Sequence, residues 1–271
     1  MGDRVTPDPS SSTVPPPASS RIPAVLLCGG RGTRLLDACE DEAEGTIDVE
    51  YDEKPLVTVG ERPMVDRVLS ALIEADSIGS VHAVASPHAP ETIEHLEAVG
   101  RDDVTDRPEA VGRAEGIDLV VHEGTGEGYV ADLRAAIETV GTPALTVVAD
   151  LPLLRASHVD ATVERFWTGP DVATSGSDRS VPRSLSVCVP AGTKRRLGVS
   201  VDATLGSDDR GRPLAPTGLN VVGDDGGDDD GNDDGDDGDR DEPGRRWIRD
   251  DPALAVNVNR PGDLAVARDR I

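Results

Sequence analysis

Lysine is nearly missing from this chain of 271 residues: only Lys54 and Lys194 carry it. Aromatic residues make up 2% of the sequence, with a single Phe, so any core must be built from aliphatic side chains. Cysteine is also sparse: Cys28, Cys39 and Cys188 are scattered, and no Cys-x-x-Cys occurs. That pattern excludes a disulfide framework and a paired-thiolate zinc site, and is expected of a reduced, cytoplasmic protein. No window holds the roughly 20 apolar residues of a bilayer-spanning helix. The N-terminus has no basic head followed by an apolar core, so neither a secretory signal nor membrane insertion is expected. His82, His88, His95, His122 and His158 share no metal-ligand spacing, and the absence of Gly-x-Ser-x-Gly argues against a serine hydrolase.

What the chain has in excess is acid. Asp and Glu number 52 against 27 Lys and Arg, giving a formal net charge of -25. Such a surface repels itself in dilute buffer. Salt screens the repulsion, with a Debye length of roughly 3 Å at 1 M. The acidity runs through the body of the chain as well as its loops, which fits adaptation to a high-salt cytoplasm, as in a halophilic archaeon. A negative surface also argues against a nucleic-acid partner.

Residues Met1 to Arg21 are rich in Pro and Ser and read as a disordered tail. The remainder, 22–271, reads as one domain with acidic insertions at 37–52 and 223–244. Apolar strands at Ala24–Cys28, Leu56–Val59, Ser80–Ala85, Ile117–Val121 and Ala144–Ala149 alternate with helical spacing over Met64–Ala75, Pro90–Val99 and the segment carrying Val130, Leu133, Ile137 and Val140. This alternation predicts an α/β fold with a mostly parallel central sheet flanked by helices. Further on, Val159–Trp167 reads as helix, Ser184–Val189, Gly218–Val222 and Ala253–Val258 as strands, and Pro261–Arg268 as a terminal helix with Pro at its start. Ligands of such sheets gather at the carboxyl ends of the strands. The glycine loop after Cys28, Ser86, the loop Gly124–Gly128 and Asp150 all follow strand ends.

The chemistry is suggested by LLCGGRGTRL at Leu26–Leu35 followed downstream by Glu53-Lys54-Pro55-Leu56. Gly29, Gly30 and Gly32 let backbone N–H groups approach a polyphosphate closely. Arg31 and Arg34, with Thr33 between them, add charge-assisted donors, and Lys54 adds a point charge from a second segment. The loop is neither a P-loop nor a dinucleotide fingerprint, since no Gly-Lys-Ser/Thr follows and the G-x-G-x-x-G order is absent. Asp150 ends the apolar run LTVVAD. A carboxylate there either caps the next helix or holds a hard cation such as Mg²⁺. Asp230, Asn232, Asp234, Gly235 and Asp241 fall on calcium-loop positions, but the run is mostly Asp and Gly and lacks flanking amphipathic helices, so it reads as a solvated insertion. Cys28 reads as a small core residue rather than a nucleophile.

The string LLCGGRGTRL…EKPL resembles the signature of nucleotidyltransferases with a GT-A-like, Rossmann-like α/β fold. Within that superfamily, which includes the molybdenum-cofactor guanylyltransferases, the chain is most similar to the archaeal adenosylcobinamide-phosphate guanylyltransferases. Ala85–Thr92, Gly124–Leu133, Val148–Leu151, Pro216–Val222 and Val256–Asn259 carry this resemblance. The molybdenum-cofactor enzymes have Gly-Pro-Leu-Ala-Gly where this chain reads Gly-Glu-Gly-Tyr at Gly126–Tyr129. The insertion at Asp37–Asp52 departs from the family, which joins the two phosphate motifs more closely. The resemblance implies GTP and adenosylcobinamide phosphate as substrates, Mg²⁺ as cofactor and a homodimer. It also implies that Gly29 to Arg34 and Lys54 cradle the phosphates, that Arg31, Arg34 and Lys54 serve catalysis, and that Asp150 holds the metal. Ser86 and the Gly126, Gly128 and Tyr129 loop would lie near base and ribose, and Asn257 or Asn259 would line the cleft. The competing readings are a molybdenum-cofactor guanylyltransferase or other NTP:phosphate nucleotidyltransferase and, from another class, a non-catalytic nucleotide- or calcium-binding protein.

Overall fold

The structure, a computed structural model, describes residues 21–29, 35, 53–101, 117–169, 181–224 and 245–271. Gly30 to Arg34, most of both acidic insertions and the N-terminal tail lie outside the described residues. The first half contains β1 (Ile22–Cys28), a 3-10 turn (Lys54–Leu56), β2 (Thr58–Val59), β3 (Arg62–Pro63), α1 (Met64–Ile73), β4 (Ile78–Ala85), α2 (Pro90–Arg101), β5 (Asp118–Glu123), α3 (Tyr129–Val140) and β6 (Ala144–Val148). There follow α4 (Ala156–Thr168), β7 (Leu185–Pro190), α5 (Ala191–Leu197), β8 (Leu214–Val222), β9 (Arg245–Ile248) and α6 (Pro261–Arg268).

Six of the seven residues of β1 are buried, as a strand covered on both faces requires. It pairs in parallel with β4 on one side and β6 on the other. The sheet has seven strands in the order β5-β4-β1-β6-β8-β7-β9. Strand β8 runs antiparallel to both neighbours, while β9 returns parallel to β7. The sheet is therefore mostly parallel, as the alternation predicts.

Side chains of β1 alternate between two cores. Ala24 and Leu26 face α1 and α4, where Val68, Leu69, Leu72, Val159, Val163 and the single phenylalanine, Phe166, fill one layer. Val25 and Leu27 face Leu133, Ala136 and Ile137 of α3 on the other side. A third cluster joins Val57, Val59, Val256, Val258 and Leu264, docking α6 against the β2–β3 hairpin.

The elements depart from the sequence expectation in several places. Leu56 belongs to the 3-10 turn Lys54–Leu56, with Pro55 near its start, and the ladder begins only at Thr58. Ala253–Val258 is buried throughout but joins no strand ladder. Its Val258 N–H instead donates to the Asp150 carbonyl at 2.9 Å, which clamps this segment beside the end of β6. Helix α5 and strand β9 are additional, one short and one lying next to the acidic insertion.

Candidate active site

The carboxyl ends of β5, β4, β1 and β6 lie side by side, so Gly124, Ser86, Gly29 and Asp150 emerge along one edge. Backbone bonds continue the pairing past the strands: Gly124 N–H reaches the Ala85 carbonyl at 2.7 Å, and Ala149 N–H reaches the Leu27 carbonyl at 3.0 Å.

Lys54 is brought to this edge by its neighbour. Helix α2 begins with Pro90, and Glu53 caps it from 38 residues away: its carboxylate accepts the Glu91 N–H at 2.9 Å. The same group accepts the Thr92 N–H at 2.6 Å and the Thr92 hydroxyl at 2.5 Å. A carboxylate is favourable at a helix N-terminus, where free N–H groups and the helix dipole meet it. With Glu53 fixed, the Lys54 ammonium donates to Asp150 Oδ2 at 2.6 Å and to Asn259 Oδ1 at 2.7 Å.

The chain of contacts continues beyond Asp150. Asn257 Nδ2 donates to Asp150 Oδ1 at 3.2 Å and to the Thr217 carbonyl at 2.8 Å. Asn257 Oδ1 in turn accepts from Lys194 Nζ at 2.8 Å. The chain's two lysines thus flank one carboxylate, one directly and one through an amide. Burial lowers the Lys194 pKa below its ordinary value, and Asp150, Asp263 and Asp202 partly oppose that shift. Asp263, itself buried, accepts the backbone N–H groups of Asn259 and Arg260 at 3.0 Å each, and that of Ser200 at 2.7 Å. It fixes Asn259 at the start of α6 and ties in the segment after α5.

Two hollows open on either side of Asp150. One is lined by Leu27, Gly29, Lys54, Pro55, Met64 and Tyr129, among others. The other, of about 360 Å³, is bounded by Lys194, Asp202, Ala203, Pro216, Gly218 and Asn220, again with Tyr129 and Asp150. Burial and the Asp150 charge both raise the Tyr129 pKa, which keeps its hydroxyl a donor. Gly218 has φ +83°, and a Cβ there would lie 2.4 Å from Val148 Cγ2, so only glycine keeps that wall open. Asp132 shapes the Gly124–Gly128 loop by accepting Thr125 N–H at 2.6 Å and Thr125 Oγ1 at 2.8 Å.

Of the residues singled out from sequence, Gly29, Lys54, Asp150 and Asn259 converge here. Gly30, Arg31, Gly32, Thr33 and Arg34 lie outside the described residues. Ser86 and Gly126 sit together one strand over: the Ser86 hydroxyl accepts His88 N–H at 3.2 Å, and a Cβ on Gly126 would lie 3.0 Å from Pro87 Cγ. Neither they nor Gly128 line the two hollows. Cys28 is a core residue, its thiol pushed up to about 12 by burial. Lys194, Glu53, Asp132 and Asp263 also shape the candidate site, although no role follows for any of them from the sequence alone. For Lys194 the signal was available, since it is the only other lysine. Among the described residues, no group of three or more His, Cys, Asp or Glu side chains is placed to hold a metal. No helix among them is long and apolar enough to cross a membrane.

Residues 24–217 match the MobA-like NTP transferase domain, and the chain belongs to that family of nucleotidyltransferases. The chain is similar to the adenosylcobinamide-phosphate guanylyltransferase of Methanocaldococcus jannaschii, 26% identical over 203 residues that cover 73% of this chain and 79% of the relative. Among solved structures it is similar to a hypothetical transferase from Thermus thermophilus, with a TM-score of 0.44 and 17% identity over 75% of this chain and 65% of that one. It is also similar to CMP:2-keto-3-deoxy-manno-octonic acid synthetase complexed with CTP, with a TM-score of 0.45 and 10% identity over 74% of each chain.

Proposed function

We propose that the chain transfers GMP from GTP to adenosylcobinamide phosphate, giving adenosylcobinamide-GDP and pyrophosphate. The observation that carries the transfer chemistry is the Lys54 ammonium held 2.6 Å from Asp150 and 2.7 Å from Asn259, at the strand edge where Gly29 opens the phosphate loop. The choice of acceptor and base rests on the likeness to the Methanocaldococcus jannaschii guanylyltransferase.

The chemistry demands little covalent help. An oxygen of the acceptor phosphate bonds to the α-phosphorus of GTP, and the bond from that phosphorus to the β-phosphate oxygen breaks. Pyrophosphate leaves with the electron pair. A phosphomonoester is already mostly ionised near neutrality, its second pKa being about 6, so no general base is required. The site has to align the reactants and offset negative charge. Lys54, Arg31 and Arg34 fit that task on the nucleotide side. The donor set suits a hard cation such as Mg²⁺, which binds through one or two carboxylates with water and substrate phosphates completing its shell. Asp150 would hold it, with Asn259 offering an amide oxygen nearby. When bound, the cation neutralises charge on phosphate oxygens.

The test presents purified protein, in concentrated KCl, with GTP, ATP or CTP and with adenosylcobinamide phosphate or molybdopterin as acceptor. Pyrophosphate release is expected with GTP and the corrinoid. Release with molybdopterin alone reassigns the protein to the molybdenum-cofactor guanylyltransferases. Nucleotide binding without release under any pairing removes the catalytic reading.

A further inference from the structure

We propose that Lys194 is the receptor for the acceptor's phosphate: a phosphomonoester enters the 360 Å³ hollow and takes a direct ion pair from the Lys194 ammonium. This rests on the transfer reading above and assigns the second of the two hollows.

The first ground is unmet bonding capacity. An ammonium carries three donors and no acceptor. Lys194 is 5% exposed, so water reaches it poorly, yet the only hydrogen bond its ammonium makes among the described residues is to Asn257 Oδ1 at 2.8 Å. No carboxylate among those residues lies within ion-pair distance of it. A buried charge with donors to spare is costly unless something fills them. The hollow it lines is the place from which an anion can do so.

The second ground is placement. Lys54 meets Asp150 at Oδ2, while the Lys194 relay through Asn257 arrives at Oδ1. Each lysine therefore serves a different hollow, and Asp150, Tyr129 and Val148 are common to both. Attacking and leaving oxygens lie roughly in line across the phosphorus under transfer, so a cation on each side of the shared wall is the charge pattern in-line displacement needs. The third ground is the wall itself. Ala203, Ala215, Pro216 and Gly218 give Lys194 small neighbours, which leave room for a bulky group attached to the phosphate.

The scarcity of lysine supplies a clean assay. Protein labelled with ¹³C and ¹⁵N in lysine alone shows two side-chain signals, assigned by Lys54→Arg. Titration of the wild-type protein with ethyl phosphate is expected to move the Lys194 signal saturably, whereas GTP moves that of Lys54. A Lys194 signal that stays in place overturns the proposal. In the transfer assay, Lys194→Met is expected to raise the acceptor KM about tenfold or more, with the GTP KM within about twofold, and Lys194→Arg to restore most of the loss. An unchanged acceptor KM, or a fall in kcat alone, makes Lys194 a support for Asn257 and overturns direct contact. The titration needs no turnover and no corrinoid, so failure of the proposed reaction leaves this assignment testable.

Discussion

Replacing Lys54 by Met keeps the aliphatic stem and removes the ammonium that reaches Asp150 at 2.6 Å and Asn259 at 2.7 Å. If that ammonium stabilises charge developing on the transferred phosphate, its loss costs what removal of one preorganised donor costs elsewhere. That is roughly 10²–10³ in kcat, or about 2.7–4 kcal/mol. The cost in stability is smaller. The two side chains are 14% and 18% exposed, so water can reach the vacated carboxylate oxygen. The other oxygen keeps its bond from Asn257. A partly exposed pair of this kind stands between surface and buried ion pairs, and we expect a loss of about 1–2 kcal/mol. For a domain of this size that lowers Tm by about 2–8 °C. Pyrophosphate release at saturating substrate gives the first number, and a thermal melt in the same concentrated KCl gives the second. A variant that stays folded and keeps more than about a third of wild-type turnover refutes the role. A turnover loss that merely follows the unfolded fraction refutes it equally.

Three further outcomes follow from the same geometry. Glu53→Gln leaves one acceptor oxygen where two serve Glu91 and Thr92, and sets an NH₂ against helix donors. It should cost about 1–3 kcal/mol in a denaturant melt and lower turnover by loosening Lys54; unchanged values on both counts contradict the capping role. Burial holds the His158 pKa below its usual value, the opposing pull of Asp251 notwithstanding. The unfolded chain therefore takes up the proton first, and the stability present above about pH 6.5 is lost as pH falls. Denaturation at about pH 7 and pH 5.5 should show that loss in wild type and less of it in His158→Gln, and parallel slopes would contradict it. Finally, burial raises the thiols of Cys28 and Cys188 to about 12 and about 11. A thiol reagent near pH 8 should label neither residue in the native protein and both in guanidinium, because the thiolate is the reactive form. Native labelling of either overturns their assignment as core.

Much of the site was legible because a few residue types stand out against this composition. The apolar run of β1 ending in glycine marks a central strand and the edge where Gly29, Lys54 and Asp150 meet. The rarity of lysine makes Lys54 conspicuous, and Asp150 closes another buried strand. What escaped depends on contacts distant in sequence. Glu53 reads as one more acid, and its capping of α2 appears only once Thr92 is beside it. Lys194 lies in a Lys-Arg-Arg run that looks like a solvated helix end, yet the docking of α5 against Asn257 buries it. Ala253–Val258 has the apolar content of a strand, but Val258 spends its N–H on Asp150 and leaves no ladder to join. The proposed acceptor rests on likeness to one relative, since small residues such as Ala203 and Pro216 define room rather than chemistry.

Label transfer separates guanylyl transfer from every other fate of the nucleotide. Supplied with GTP carrying radiolabel at the α-phosphorus and with adenosylcobinamide phosphate, the protein is predicted to move the label onto the corrinoid. Label at the γ-phosphorus should appear in pyrophosphate. A corrinoid that stays unlabelled would contradict guanylyl transfer at the Lys54–Asp150 edge, and γ-label released as inorganic phosphate would contradict it by showing hydrolysis of the β–γ bond instead.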